Sequence, residues 1–183
     1  MIAITTLLDK RSSDRVSEII EQLEKKFGLH GVKITPYPHI TLLTAETPDL
    51  EELKQYLEQS CITMQKFTIR TTGLGIFPGP TPVVYIPALR TNALNELHDN
   101  LHRDVSEMSS EMGVYYNPNL WLPHISLALG DTTPEILGPI LTYLCQINFN
   151  WEITIDNLTI LQKCGDFFLK DEEFRFGSRE LTY

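Results

Sequence analysis

The sequence predicts an α+β protein of two antiparallel-sheet lobes, related by a pseudo-twofold axis, with helices outside and a central cleft between them. Three observations predict it. Segments of strand and helix character run strand, helix, strand, helix, strand, and the order then repeats. The pentapeptide Pro38-His39-Ile40-Thr41-Leu42 returns as Pro123-His124-Ile125-Ser126-Leu127. The spacing between copies is nearly constant: 85 residues for the histidines, 86 for Thr47-Pro48 and Thr133-Pro134, and 84 for Ile69, Leu74 and Ile76 against Ile153, Leu158 and Ile160. Internal duplication is the simplest account, giving a single domain over 1–183 with lobe 1 at 1–78 and lobe 2 at 79–183.

The elements follow from local pattern. Ile2 to Leu8 reads as a strand. Ser12 or Ser13 then caps a helix carrying Val16, Ile19, Ile20, Leu23 and Phe27 at helical spacing, and Gly28 stops it. Lys33 to Thr44 reads as the first motif strand. Thr47-Pro48 opens a second helix, proline sitting where its missing N–H costs nothing, with Leu50, Leu53 and Leu57 as its buried stripe. Lys66 to Ile76 and Pro82 to Leu89 are strands around the turn Phe77-Pro78-Gly79-Pro80, which marks the boundary between halves. Asn92 to Met112 is expected to be the longest helix, and Gly113 to Trp121 a loop. Leu122 to Leu129 is the second motif strand, Thr133-Pro134 opens a fourth helix, and Phe149 to Leu161 and Phe167 to Lys170 close the chain as strands.

Composition narrows the function classes. Hydrophobic residues at 42% and charged residues at 21% suit a folded domain rather than a disordered chain. No apolar run approaches the ~20 residues of a membrane span, and the apolar start lacks the basic flank of a leader. Cys61, Cys145 and Cys164 are odd in number and widely spaced, which predicts reduced thiols, a cytoplasmic setting and no zinc knuckle. A net charge of −9 disfavours a partner that is long nucleic acid, since a grip on many phosphates needs a basic face. A small ligand or a nucleic-acid end in a local pocket fits better, and a monomer is compatible with the chain.

The repeated pentapeptide carries the chemistry. Strand side chains alternate faces, so His39 and Thr41 point one way and Ile40 and Leu42 the other. His124 and Ser126 separate from Ile125 and Leu127 in the same manner. Facing lobes then bring two imidazoles and two hydroxyls to one cleft. One neutral imidazole can take a proton from an attacking oxygen while one imidazolium gives a proton to a leaving oxygen. The hydroxyls can hydrogen-bond the non-bridging oxygens of a phosphate, where charge shifts during reaction. A lone histidine beside proline is more often structural. Two polar residues kept on one strand face in both copies, at the desolvation cost that implies, favour catalysis.

His39-Ile40-Thr41-Leu42 and His124-Ile125-Ser126-Leu127 both match H-x-[T/S]-x. The pair, half a chain apart, resembles the signature of the two-histidine (2H) phosphoesterases, the 2′-5′ RNA ligase-like family, and the duplicated element order resembles that family's bilobal fold over the whole chain. The resemblance implies a cofactor-free, metal-independent enzyme acting on 2′,3′-cyclic phosphate or 2′-5′ phosphodiester bonds of nucleotides or RNA 3′-ends, as a hydrolase or a ligase in RNA processing. It implies His39 and His124 as the catalytic pair and Thr41 and Ser126 as phosphate-binding residues, and leaves open which histidine is base and which acid. The alternatives are a non-catalytic binder of a nucleotide or RNA end in the same cleft, and a structural protein retaining ancestral motifs.

Other features weigh less. Tyr37 shares the His39 face, and Phe77, Tyr115, Tyr116 and Trp121 lie near the motifs, so base stacking and plain packing compete as explanations. Arg11, Arg70 or Lys163 are the candidate cations for a phosphate. His98 and His102 have metal-ligand spacing but no further ligands, with Leu97 and Leu101 claiming the buried stripe. Gly73-x-Gly75 with Gly79 lacks the spacing of a dinucleotide loop. Asp171-Glu172-Glu173 reads as a solvated turn.

Overall fold

The structure, a computed structural model, describes residues 1–177. The fold is α+β, and every strand pair in it is antiparallel. Strand β1 (Ile2–Leu7) leads into helix α1 (Lys10–Phe27), then β2 (His39–Glu46), α2 (Leu50–Thr63), β3 (Phe67–Arg70) and β4 (Gly75–Phe77). The chain continues through β5 (Val83–Pro87), α3 (Asn92–Glu107), β6 (Glu111–Met112), β7 (His124–Ala128), α4 (Pro134–Leu144), β8 (Glu152–Ile155), β9 (Asn157–Cys164) and β10 (Phe167–Arg175). A five-stranded sheet runs β10-β9-β1-β2-β6, a three-stranded sheet β4-β5-β7, and β3 pairs with β8.

Several boundaries differ from the sequence expectation, each for a local reason. The cap of α1 is Asp9, not Ser12 or Ser13; its carboxylate accepts from the Ser12 N–H at 3.0 Å, the Ser12 hydroxyl and the Thr154 N–H of β8. Gly28 ends that helix at φ +74°, a left-handed position suited to glycine. The strand expected from Lys33 begins only at His39. Gly31–Ile34 forms a 3₁₀ turn instead, and Pro36 and Pro38 lack the N–H groups a ladder needs. Asp49, not Thr47, caps α2, accepting from the Glu52 N–H at 3.0 Å. Its carboxylate is the stronger acceptor, while the Thr47 hydroxyl donates to the Met108 carbonyl. The Lys66–Ile76 strand is broken around Gly73, whose φ is +60°, and the strand from Phe149 is divided at Asp156. The third helix stops at Glu107, where Ser110 donates to the Glu46 carbonyl and turns the chain back to pair β6 with β2; α1 is therefore the longest helix.

The core is one cluster shared by helices and sheets. Val16, Ile19 and Leu23 from α1, Leu53 and Leu57 from α2 and Leu94, Leu101 and Val105 from α3 join Ile40, Leu42, Ile125 and Leu127 from the motif strands. Burying such side chains contributes about 1.5–3 kcal/mol each against exposure. This apolar side of β2 and β7 clamps both strands, leaving their other faces to the site.

The two motif strands share one pattern of hydrogen-bond register. Thr5 faces Thr41, Thr6 faces Ile40 and Leu7 faces His39 across β1 and β2. Tyr85 faces Ser126, Ile86 faces Ile125 and Pro87 faces His124 across β5 and β7. Both ladders shift register at the matching step, Ile4/Thr5 and Val84/Tyr85. The Leu8 N–H donates to the Pro38 carbonyl at 3.1 Å, and Ala88 to Pro123 at 2.9 Å. Ile69 and Ile153, which the sequence spacing equates, pair with each other across β3 and β8. Each larger sheet crosses the midpoint of the chain: β9 flanks β1, and β4 flanks β5.

Candidate active site

His39 and His124 open β2 and β7, and the two strands carry the same burial order: half-buried histidine, buried isoleucine, half-buried hydroxyl residue, then two buried apolar residues. The prolines before them set an extended approach, and this brings each ring back over its own chain. Nδ1 of His39 lies 2.6 Å from the Tyr37 carbonyl, and Nδ1 of His124 lies 2.8 Å from the Leu122 carbonyl. A carbonyl only accepts, so Nδ1 is the N–H donor in both rings. The neutral ring then carries its lone pair on Nε2, which is the tautomer needed for accepting a proton.

Both rings line one cleft of about 1000 Å³, together with Thr41 and Ser126. Burial holds both imidazoles below their ordinary pKa of 6.5, against the opposing pull of the Tyr37 and Leu122 carbonyls. His39 carries a further burden, since the charge of a protonated His124 also lowers its pKa. The repulsion is mutual, so protonation of one ring disfavours protonation of the other.

The candidate substrate contacts Tyr37, Phe77, Tyr115 and Trp121 all line this cleft, as does Tyr116. They differ in what they offer. Tyr115 is 80% exposed at the mouth, whereas Trp121 is 3% exposed. The Trp121 indole N–H donates to the Thr41 carbonyl at 3.0 Å, one face of the ring stacks on His98 at 3.8 Å, and the Arg90 guanidinium lies 5.6 Å from its centroid. Trp121 thus ties the loop before His124 to the strand of His39. The Tyr116 hydroxyl interacts with the Thr41 side chain, and burial raises its pKa, keeping the phenol neutral.

Tyr85 is the residue that sequence reading missed. Its ring stacks on Phe77 at 4.2 Å, and both rings lie 5.1 Å from His124. A Val-Val-Tyr-Ile strand reads as core, and only the register opposite Ser126 reveals that Tyr85 flanks the histidine. Gly75 makes room for it: a Cβ there would lie 2.3 Å from the Tyr85 ring.

The nominated cations are elsewhere. Arg70 pairs with Glu152 at 2.8 Å on the surface, Arg11 borders a separate depression with Arg15 and Trp151, and Lys163 is exposed on β9 outside the lining. His98 is fully buried under Trp121. Among the described residues no three His, Cys, Asp or Glu side chains group as a metal site, and no helix is long and apolar enough to cross a membrane. Burial pushes the Cys61 thiol up to about 12, so it stays protonated, and Cys145 and Cys164 are free thiols at the surface.

Comparison with known proteins agrees with this architecture. The fold matches TT0787 of Thermus thermophilus at a TM-score of 0.66 and 20% identity, covering 96% of this chain and 97% of that one. It matches a protein described as a phosphoesterase at a TM-score of 0.58 and 18% identity, over 96% and 97% of the two chains. A search of curated proteins gave no significant match. The family model of the 2′-5′ RNA ligase superfamily matches residues 12–166, a span holding both histidine motifs and the strands that carry them. With that match over most of its length, the chain belongs to the 2′-5′ RNA ligase superfamily, the 2H phosphoesterases.

Proposed function

We propose that the protein is a metal-independent phosphodiesterase acting on 2′,3′-cyclic phosphate or 2′-5′ phosphodiester bonds of nucleotides or RNA ends. The observation that carries this reading is the matched Nδ1-to-carbonyl contact at both histidines, which presents two Nε2 atoms of defined tautomer to one cleft. Among the described residues neither ring is spent on a structural partner through Nε2, and two hydroxyls stand beside them.

In hydrolysis of a 2′,3′-cyclic phosphate, His39 Nε2 takes a proton from water as its oxygen bonds to phosphorus. His124 Nε2, protonated, gives its proton to the departing 3′-oxygen as the P–O3′ bond breaks. The product is a 2′-phosphate, and the two rings have exchanged protonation states, to be reset through solvent. The deeper seat of His39, which favours its neutral form, supports this assignment of base and acid. Thr41 and Ser126 donate to the non-bridging oxygens, which gain charge in the transition state. A 2′-5′ phosphodiester reacts by the same roles, with a nucleoside oxygen as leaving group.

The test is turnover of the four 2′,3′-cyclic mononucleotides by the pure protein with and without EDTA, with the phosphate position in the product read by phosphorus NMR. Chelator-resistant formation of 2′-phosphates supports the reading. Turnover abolished by EDTA and restored by a divalent ion sinks its metal-independent part, and binding without turnover favours a nucleotide or RNA-end binder.

A further inference from the structure

The lining of the cleft limits the charge its ligand can carry. Two histidines and two hydroxyls serve the reacting phosphate. Beyond the histidines, the only charged side chains lining the cleft among the described residues are Lys33 and Glu21. The charge of Lys33 is already offset, because its ammonium pairs with Glu24. Around the mouth the surface is apolar and aromatic: Tyr115 is 80%, Leu120 67% and Leu122 43% exposed, and Phe77 lies beside His124. The cleft volume of about 1000 Å³ is at the upper end for a small-molecule pocket, room for a nucleoside and its flanks rather than a track along a strand.

Resting on the reading above, we propose that this site selects phosphodiesters with one negative charge between uncharged groups: nucleoside 2′,3′-cyclic phosphates with a free 5′-hydroxyl. Each added phosphate would enter an acidic protein, of net charge −9, at a place where, among the described residues, the one lining cation is already paired. The exposed flat side chains at the mouth suit an uncharged base, for which stacking is a gain whatever its sequence.

The experiment compares kcat/KM for adenosine 2′,3′-cyclic phosphate, its 5′-phosphorylated form, and a trinucleotide ending in a 2′,3′-cyclic phosphate, at low and moderate salt. The expected result is a loss of at least about 10-fold on 5′-phosphorylation at low salt, narrowing as salt screens the field. The trinucleotide is expected to be no better than the mononucleotide. Equal or faster turnover of the 5′-phosphorylated substrate, or faster turnover of the trinucleotide, overturns the inference. If none of the three is turned over, the cyclic-phosphate part of the phosphodiesterase reading fails, and binding decides the selectivity separately. Tighter binding of adenosine 2′-phosphate than of adenosine 2′,5′-bisphosphate upholds the inference, while preference for the bisphosphate, or binding of neither, overturns it.

Discussion

At the scale of single residues, the site turns on which atom of each imidazole carries its proton. The carbonyls of Tyr37 and Leu122 occupy Nδ1 in both rings, and burial keeps both pKa values below 6.5. Catalysis with one ring neutral and the other protonated then has its optimum at the mean of two lowered values. The pH profile of kcat/KM, which reports the free enzyme, is predicted to be a bell with its maximum on the acid side of 6.5; a maximum above about 7 would contradict the burial argument. Replacing Thr41 with Val or Ser126 with Ala removes one of the hydroxyls proposed to donate to the phosphate oxygens and should lower kcat by about 10²- to 10³-fold if the donor acts mainly in the transition state. A rise in KM with unchanged kcat would place that donor in ground-state binding instead. The motif residues were legible in the sequence because their chemistry is written in five adjacent positions and strand alternation gives their faces. Tyr85 was not, because its contact with His124 depends on a register shift between strands about 40 residues apart.

At the scale of elements, what sequence could not decide was the choice among competing neighbours. Asp9 and Ser12 are both good helix caps; Asp9 prevails because one carboxylate also receives the Thr154 N–H across the fold. Asp9→Ala is predicted to cost about 1–2 kcal/mol by urea denaturation, from the lost cap and the orphaned Thr154 donor. A loss within error of zero would show that water replaces both contacts. The expected strand from Lys33 failed for a related reason, since alternation over Lys33 to Tyr37 cannot outweigh two prolines. Trp121 acts between elements, holding the loop before His124 against the Thr41 carbonyl. Trp121→Phe keeps a ring against His98 and loses the N–H. We expect kcat to fall on the order of 10-fold, as the two histidines lose their fixed separation, with KM little changed. An unchanged kcat would reduce Trp121 to ordinary packing.

For the molecule as a whole, the repeated order in the sequence reappears as repeated strand registers, down to matching shifts between Ile4 and Thr5 and between Val84 and Tyr85. The partition of strands among sheets was not legible, because β9 and β4 join sheets on the far side of the chain's midpoint and no local pattern encodes that exchange. The architecture also sets how stability depends on pH. His39, His98 and His124 all have pKa values lowered by burial, so the unfolded chain binds more protons than the folded one below about 6.5. Stability is therefore complete above that pH and is lost as pH falls through it toward the folded values. The melting temperature should drop between about pH 7 and pH 5 in calorimetry, and His98→Phe, which keeps a ring on Trp121, should flatten that drop. A melting temperature constant across this range would mean that the three rings protonate without cost in the folded state.

The most direct test of the central claim, that His39 and His124 act as one acid–base pair, is kcat/KM on the 2′,3′-cyclic mononucleotides in EDTA for the wild type, His39→Ala and His124→Ala, each shown to be folded by circular dichroism. The account predicts a loss of about 10²- to 10⁴-fold in each variant, and a double variant little worse than either single one. Turnover unchanged in either folded variant would contradict it.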